Sequence, residues 1–370
     1  MNFDLTEEQA LLRDLVLRYG ADHYDAVKRL AYIRQADGFS RDHWAMLADM
    51  GLLAFALPED AGGLGGSDTD LITVAEIFGS YVAAEPILPC VIMGAGALQE
   101  AGTDAQKSEL LPQLISGERF AALAVFEARS RFNVDAITTQ AVVSSDGEAT
   151  LSGSKQIVMG GSFATDLVVA AKDSADGVIR LFLVDASSEG LAFHNYRLTD
   201  GSVASNIDFN KVPARIMDGG ASVLQTLLMN ARLYICGELV GLMSMMSRET
   251  LDYLKTRKQF GQPLGSFQAI QHRMADCYAK AELSRSQLYR AAGQKLGTPE
   301  RDAAIYGAKA YISQAALHIG EEAVQLHGGI GTTEELLVGQ AFKRVFALVS
   351  LLGDVDAETN AYLALTRAAG

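Results

Sequence analysis

The sequence predicts an α+β protein in which a β-rich segment lies between two helical ones. Apolar residues recur at helical spacing as far as residue 117, then alternate along the chain, then return to helical spacing after Met217. Helices and strands do not alternate along the chain, so a doubly wound sheet is not expected. We expect three domains: an N-terminal helical domain (1–117), a middle β-domain (118–216) and a C-terminal helical bundle (217–370).

The middle segment contains two hairpin signals. Asp146-Gly147 and Asp176-Gly177 each separate two alternating apolar runs, and Asp-Gly is a preferred two-residue hairpin turn. The C-terminal segment begins with a long apolar helix, predicted over 230–255. A turn built on Gly261, Pro263 and Gly265 follows, and the next helix, predicted over 267–292, is expected to run antiparallel to the first.

Composition and charge exclude several classes of function. The 370 residues are 49% hydrophobic, which is enough for a sizeable core, and the formal charge of −14 argues against nucleic acid or an anionic membrane surface as a general partner. The three scattered cysteines and six histidines form no disulfide framework and no metal-ligand spacing, so no metal site is expected. No uncharged apolar run is long enough for a membrane span, and the N-terminus does not read as a targeting peptide, so a cytoplasmic location is expected.

Two glycine clusters differ in context. PEDAGGLGGSD (58–68) follows a helix rather than a strand, which favours a structural turn over a phosphate-binding loop. QLHGGIG (325–331) ends an amphipathic helix. A helix C-cap needs one glycine, so the adjacent Gly328 and Gly329, with Gln325 and His327, favour a ligand contact.

RKQFGQPLGSFQAIQHRMAD, QLHGGIG and PEDAGGLGG, spaced along an α–β–α chain, resemble the acyl-CoA dehydrogenase family over essentially the whole sequence. The resemblance implies an N-terminal helical domain, a middle β-barrel domain and a C-terminal four-helix bundle. It also implies FAD as cofactor, an acyl-CoA substrate and an electron-transfer flavoprotein as acceptor.

The resemblance also implies roles for individual residues. Arg257 would contact the FAD pyrophosphate across a subunit interface, and Phe260 would lie beside the cofactor. The remaining residues expected at the cofactor are Gln259 and Gln268, as hydrogen-bond partners, and Gln325, Gly328 and Gly329, along the ADP portion.

The sequence departs from the family pattern where the family holds the flavin ring. VFEARSRFN (125–133) lacks the glycines and proline expected there and has Phe126 where a hydroxyl is expected. GSKQIVMGG (153–161) places Ile157 and Met159 at the usual tryptophan and threonine.

The two places where the family carries its glutamate base are apolar here, Leu352 and Ala231. An apolar side chain cannot accept a proton. Glu238 and Asp354 are the weak substitutes nearby, although each is more readily explained as a structural or solvated carboxylate.

The pattern most resembles the small (β) subunit of heteromeric pimeloyl-CoA or steroid side-chain acyl-CoA dehydrogenases. Such a subunit would donate the ADP-binding half of the FAD site to a homologous catalytic subunit in an α2β2 assembly. The alternatives are a self-sufficient homo-oligomer with a displaced base, and an acyl-CoA oxidase-like or nitroalkane oxidase-like flavoenzyme. Small and flexible apolar residues are predicted to face the subunit seam: Gly237, Gly241, Met243, Met245, Met246, Ala315 and Ala316.

Overall fold

The computed structural model describes residues 5–144 and 148–368, and it follows the predicted order of helices, strands and helices. By compactness the chain divides into two units. One unit contains the described residues up to Tyr32, Ser67–Ala83 and the described residues from Arg232 onward. The other contains Ile33–Gly66 and the described residues of Ala84–Ala231.

Among the described residues, six α-helices precede the sheet. Three of them begin with a capping box, at Thr6, Ser67 and Thr103, which is why helices start there. In each, the capping side chain accepts from the amide of the third helical residue, and the capping residue's own amide donates to the side chain of that residue. A fully buried π-helical segment, Ile87–Ala95, runs directly into the fifth helix. The helices are α1 (Glu7–His23), α2 (Ala26–Ile33), α3 (Arg41–Asp49), α4 (Asp68–Ser80), α5 (Gly96–Ala101) and α6 (Asp104–Ile115).

The middle segment forms a seven-stranded sheet. Its strands are β1 (Ala121–Ala124), β2 (Gln140–Val143), β3 (Glu148–Met159), β4 (Asp166–Asp173), β5 (Ile179–Asp185), β6 (Leu191–Arg197) and β7 (Val203–Gly220). β4 pairs with β5, β5 with β7, β7 with β3, β3 with β2, and β2 with β4, so the pairing returns to its starting strand. β1 joins β4 in parallel and β6 joins β7 at the margin. Side chains such as Leu151, Val169 and Phe182 pack together in a buried hydrophobic core formed by these strands.

The two predicted hairpins have different outcomes. The turn at Asp176-Gly177 is confirmed, since β4 and β5 are antiparallel and Gly177 has a φ of +73° that glycine adopts readily. β2 and β3 are also antiparallel, but the predicted turn Asp146-Gly147 lies outside the described residues.

The helices after the sheet are long. They are α7 (Ala221–Thr256), α8 (Gln268–Ala292), α9 (Pro299–His327), α10 (Leu337–Ser350) and α11 (Val355–Ala368). Arg285 of α8 donates to the Ser244 hydroxyl of α7 at 3.0 Å, which places these two helices side by side as predicted. No helix among the described residues has the length and apolar character required to cross a membrane.

The prediction that small and flexible residues face a subunit seam is wrong. A Cβ on Gly241 would lie 1.9 Å from the Glu76 carbonyl oxygen, and one on Gly237 would lie 2.8 Å from the Ala75 Cβ, so α7 packs closely on α4 of the same chain. Met243, Met245, Met246 and Ala316 are fully buried, and Ala315 is 5% exposed. These residues form the interior of one subunit.

Candidate functional site

The segment after α7 forms a short projecting hairpin. Strand β8 (Lys258–Gln259) pairs with β9 (Gln262–Pro263), and the two turn residues Phe260 and Gly261 have φ values of +52° and +82°. Two successive left-handed residues are the requirement of a type I′ turn, which explains the glycine. The Leu264 amide donates to the Arg257 carbonyl at 2.8 Å and closes the base of the hairpin.

The side chains predicted to meet the cofactor are exposed around this hairpin. Arg257, Gln259 and Gln268 face solvent, and Phe260 is 91% exposed, with its ring edge-on to Phe267 at 6.2 Å. Among the described residues, no hydrogen bond or ion pair engages the Arg257 guanidinium. A cation without an internal partner is available to an anionic ligand.

The C-terminal end of α9 lies against the C-terminal end of α7. The rings of Tyr253 and His327 stack with centroids 4.5 Å apart, and the Tyr253 hydroxyl donates to the His327 carbonyl at 3.3 Å. Tyr253 precedes Arg257 by about one helical turn. The structure therefore brings the two C-terminal motifs together, through a tyrosine that the sequence analysis missed.

His327 has a different role from the one predicted. Its ring is buried, with Nδ1 2.8 Å from the Ala323 carbonyl oxygen of the same helix. Because the ring also stacks on Tyr253 of α7, the side chain joins two helices. Gln325 is exposed at the same helix end. Gly328 has φ +68° and ψ −146°, which favours glycine, and a Cβ on either Gly328 or Gly329 would meet nothing within 4 Å.

Both positions at which the family carries its base are interior in this chain. Ala231 is fully buried and Leu352 is 1% exposed, and Leu352 has the unusual φ of +66°. Neither side chain can accept a proton.

Two buried cations hold the backbone at Leu352 and Gly353. Arg232 donates to the Leu352 carbonyl at 2.7 Å, and Lys309 donates to the Gly353 carbonyl at 2.5 Å. Both cations also face Glu358, at 3.0 Å and 3.4 Å. Burial lowers the pKa of the Lys309 ammonium from its ordinary value, although Glu358 opposes that effect.

The two substitute carboxylates both have structural contacts. Glu238 is buried and accepts from Arg344 Nε at 2.6 Å. Asp354 accepts from the Ala357 amide at 2.9 Å, which is the bond of a helix N-cap, at the start of α11. These contacts favour the structural explanation for each residue.

In the second unit, a buried ion pair fixes the 125–133 stretch. Glu127 accepts from Lys155 Nζ at 2.8 Å and from the amides and hydroxyls of Thr138 and Thr139, and Lys155 also donates to the Val125 carbonyl. Burial acts to raise the pKa of Glu127, but the charge of Lys155 and these hydrogen bonds outweigh it and hold the pKa at about 2. Burial lowers the pKa of Lys155 to about 8.

Ile157 and Met159 offer no polar group where the family holds the flavin ring. Met159 is buried, whereas Ile157 is 49% exposed and has a φ of +54° at an irregularity between β3 and β7. A β-branched residue with positive φ is strained. The Ile157 amide is held by Asn206 Oδ1 at 3.1 Å. No pattern in the sequence predicts this strain.

Family models match most of the chain. The acyl-CoA dehydrogenase N-terminal domain matches residues 6–118, and the acyl-CoA dehydrogenase C-terminal domain matches residues 218–355. The Tcur3481-Tcur3483 steroid ACAD structure is 32% identical, covers 98% of both chains and superposes with a TM-score of 0.90. The chain belongs to the acyl-CoA dehydrogenase family.

Two further relatives extend this family assignment. The ChsE4-ChsE5 complex from Mycobacterium tuberculosis is 26% identical, covers 97% of each chain and superposes with a TM-score of 0.89. The probable acyl-CoA dehydrogenase YngJ of Bacillus subtilis is 29% identical over 90% of this chain and 91% of its own. Acyl-CoA dehydrogenases are FAD-dependent oxidoreductases that act on CH–CH bonds in β-oxidation.

The residues present fit one half of FAD better than the other. An exposed guanidinium at Arg257 and open backbone at Gly328 and Gly329 suit a pyrophosphate, which takes a fixed cation and close amide groups. The side chains of Ile157 and Met159 cannot donate hydrogen bonds to a flavin ring. Within the described residues, no cluster of three or more histidine, cysteine or acidic side chains is placed to hold a metal ion.

Proposed function

We propose that this acyl-CoA dehydrogenase chain is an accessory subunit, which donates the ADP-binding half of an FAD site to a homologous catalytic subunit. One observation carries the proposal: the groups suited to bind the FAD pyrophosphate are present, whereas the catalytic base is not. The chain exposes Arg257 and the open glycines Gly328 and Gly329, while both usual base positions, Leu352 and Ala231, are apolar and buried.

The proposed assembly is an α2β2 heterotetramer with one FAD for each αβ pair. The complex would desaturate an acyl-CoA thioester between its α and β carbons and pass electrons to an electron-transfer flavoprotein, in the cytoplasm. The likeness to the Tcur3481-Tcur3483 steroid ACAD and to the ChsE4-ChsE5 complex supports a resemblance to the small subunit of steroid side-chain enzymes.

The chain's own residues would bind and orient the cofactor. When bound, FAD supplies the hydride acceptor for the oxidation. Arg257 would pair with the pyrophosphate, Gln259 and Gln268 would hydrogen-bond to the cofactor, and Phe260 would cover it from the hairpin tip. Gln325 and the backbone of Gly328 and Gly329 would line the ADP portion.

We also infer the finer architecture and domain boundaries from the family. The closed cycle of pairings through β4, β5, β7, β3 and β2 supports a β-barrel domain. The long helices after Gly220 would form the four-helix bundle of a domain that covers 217–370.

A self-sufficient homo-oligomer is the weaker candidate. It requires a carboxylate free to reach substrate, and Glu238 is engaged by Arg344 while Asp354 caps a helix. An oxidase-like or nitroalkane oxidase-like enzyme needs the same missing base.

The native mass and flavin content of the purified complex test the proposal. We expect a heterotetramer with two FAD for four chains, because only the partner's β-domain would hold a flavin ring. Four FAD, one in every β-domain, would show that this chain's own ring pocket works. A yellow homo-oligomer that reduces its flavin on mixing with an acyl-CoA would exclude the accessory role.

A further inference from the structure

The two C-terminal motifs are joined by an aromatic pair, Tyr253 near the end of α7 and His327 at the end of α9. The planes of the two rings are 27° apart at a centroid distance of 4.5 Å, and the Tyr253 hydroxyl donates to the His327 carbonyl at 3.3 Å. The contact therefore joins ring to ring and side chain to backbone. His327 is only 6% exposed, so its ring lies beneath the surface on which a ligand would bind.

Tyr253 holds the backbone from which the Arg257 side chain projects. The Arg257 amide donates to the Tyr253 carbonyl at 2.8 Å, and the Arg257 carbonyl accepts from the Leu264 amide at 2.8 Å. The residue that carries the ring is thus one hydrogen bond away from the base of the hairpin. Because the Arg257 guanidinium has no internal partner among the described residues, its placement depends on this backbone.

His327 holds the start of the glycine turn in a similar way. It is the last residue of α9, and Gly328 follows it with a φ of +68°. The turn then folds back on α9, since a Cβ on Gly331 would lie 3.0 Å from the His327 Cβ and 2.7 Å from the Val324 carbonyl oxygen. A Cβ on Gly328 or Gly329 would meet nothing within 4 Å, so these two glycines remain open to a ligand.

A pyrophosphate that contacts both motifs needs them at one fixed separation. Arg257 and Gly329 lie at the ends of different helices and are far apart in the sequence, so a flexible junction would have to be ordered when the ligand binds. An aromatic pair between the two helix ends orders that junction in advance. Binding groups are held in place by packed neighbours that do not themselves touch the ligand.

We propose that Tyr253 and His327 are positioning residues for FAD, which hold the Arg257 hairpin and the turn at Gly328 and Gly329 at the separation that the ADP portion requires. They act through Arg257 and the glycine backbone and are assigned no contact with the cofactor. The proposal rests on the accessory function proposed above and adds the two residues that shape the donated half-site. Ordinary packing is the alternative explanation for the pair, and it predicts lower stability without a selective loss of ADP affinity.

The experiment uses the native complex, stripped of flavin and titrated separately with FAD and with ADP. Tyr253→Leu and His327→Leu are each expected to raise both Kd values by about tenfold, which is the order of an aromatic pairing. Tyr253→Phe keeps the ring and loses one long hydrogen bond, so its Kd values should stay within about threefold of those of the unmodified complex. Phe346→Leu is the matched control, because it breaks the Phe342–Phe346 pair on α10, with centroids 4.6 Å apart, and should leave both Kd values unchanged.

A double-variant cycle distinguishes positioning from packing. In the Arg257→Ala background, Tyr253→Leu is expected to raise the Kd of FAD by less than about threefold, because the guanidinium that Tyr253 places is already absent. The same factor in both backgrounds would mean that the two residues act independently, which would overturn the proposal. Hydrogen exchange of the free chain adds a second readout: the Leu264 amide, which closes the hairpin on Arg257, should exchange faster in Tyr253→Leu than in Phe346→Leu.

The outcomes separate this proposal from the proposed function. If Arg257→Ala loses flavin while Tyr253→Leu binds FAD and ADP normally, the positioning role is overturned and the accessory function stands. If Arg257→Ala itself retains FAD, the donated half-site is wrong and this proposal fails with it. Because His327 is buried, His327→Leu could fail to assemble, and Tyr253→Leu with its hydrogen exchange then decides the question.

Discussion

Arg257 is the residue on which the cofactor assignment depends most directly. We expect Arg257→Ala to weaken FAD retention in the assembled enzyme by about 1.5–3 kcal/mol, because a charge-assisted contact to pyrophosphate is lost. Arg257→Lys should be only partly tolerated, since an ammonium lacks the planar fork of a guanidinium. Retained flavin after gel filtration at moderate salt is the measurement.

Lys258→Ala is the matched control for Arg257, because it removes an exposed cation one residue away on β8. It should retain flavin nearly as well as the unmodified protein. If Arg257→Ala keeps flavin as tightly as Lys258→Ala does, Arg257 does not contact the pyrophosphate.

The Glu127–Lys155 pair predicts an acid-sensitive contribution to stability. The pKa of Glu127 falls from 4.5 in the unfolded reference to about 2 in the folded chain. The contribution is therefore complete above about pH 4.5 and is lost as the pH falls toward 2, because the unfolded chain binds the proton more tightly. Glu127→Gln should flatten the pH dependence in that window and lower the free energy of unfolding by about 3–5 kcal/mol, since Lys155 would be left buried without its partner.

Denaturant unfolding between pH 2 and 7 measures both effects. The double variant Glu127→Gln with Lys155→Met is the control, because it removes the unpaired charge and should recover part of the loss. An unchanged acid transition in Glu127→Gln would show that this pair does not govern the window.

Glu238 and Asp354 distinguish an accessory subunit from a self-sufficient enzyme. As accessory-subunit residues, Glu238→Gln and Asp354→Asn should assemble with the partner and support near-normal turnover. Asp354→Asn keeps a good helix cap, whereas Asp354→Ala should cost about 1 kcal/mol of stability. A fall of several orders of magnitude in kcat for either amide variant, at unchanged assembly, would identify a displaced base.

At the scale of the element, α9 ends at two adjacent glycines that differ in backbone conformation: Gly328 has a positive φ and Gly329 does not. Gly329→Ala should leave folding unchanged, because its φ is not positive and the added Cβ meets nothing within 4 Å. It should nevertheless weaken FAD retention if the ADP portion lies against that backbone. Gly328→Ala should also lower stability by about 1–3 kcal/mol, since alanine is strained at this backbone conformation.

Melting temperature and flavin retention, measured on both variants, separate the two causes. Normal flavin retention in Gly329→Ala would mean that nothing approaches this glycine. Loss of flavin only in the destabilised Gly328→Ala would indicate an indirect effect of the helix end.

The sequence predicts the extent of the helices better than it predicts which elements pack against them. The periodicity of apolar residues located α7 and α8 to within a few residues at three of their four ends, although α7 starts nine residues earlier, at Ala221. Periodicity finds the buried side of a helix but does not say which element covers it. For that reason the seam predicted at Gly237 and Gly241 is wrong, and these glycines make room for α4 of the same chain.

The motifs of the candidate site were predictable from the sequence, but the contacts that hold those motifs in place were not. Arg257 and the glycines of QLHGG were found from spacing and resemblance, because ligand-facing residues repeat in short local patterns. The Tyr253–His327 stack and the contact of Lys309 with Gly353 join residues far apart in sequence. Nothing in the local sequence pattern connects such residues.

For the whole molecule, the order of segment types was sufficient to predict that a sheet lies between two helical segments. The change from helical to alternating spacing and back corresponds to the start of the sheet at Ala121 and its end at Gly220. Function was less accessible at this scale, because a fold does not determine the chemistry of the site that it carries. The predicted count of two FAD for four chains therefore depends on particular residues of the chain and not on its architecture.

The exposed hairpin makes an unassembled chain susceptible to proteolysis. Phe260 is 91% exposed, and a Cβ on Gly261 would meet nothing within 4 Å, so this tip is an accessible substrate for proteases that cleave after aromatic residues. A neighbouring subunit and its flavin would cover the same bond. The extent of cleavage after Phe260 would then measure the fraction of the protein that is not assembled with a partner. Proteolysis at the same bond would also give a cell a way to degrade surplus subunits.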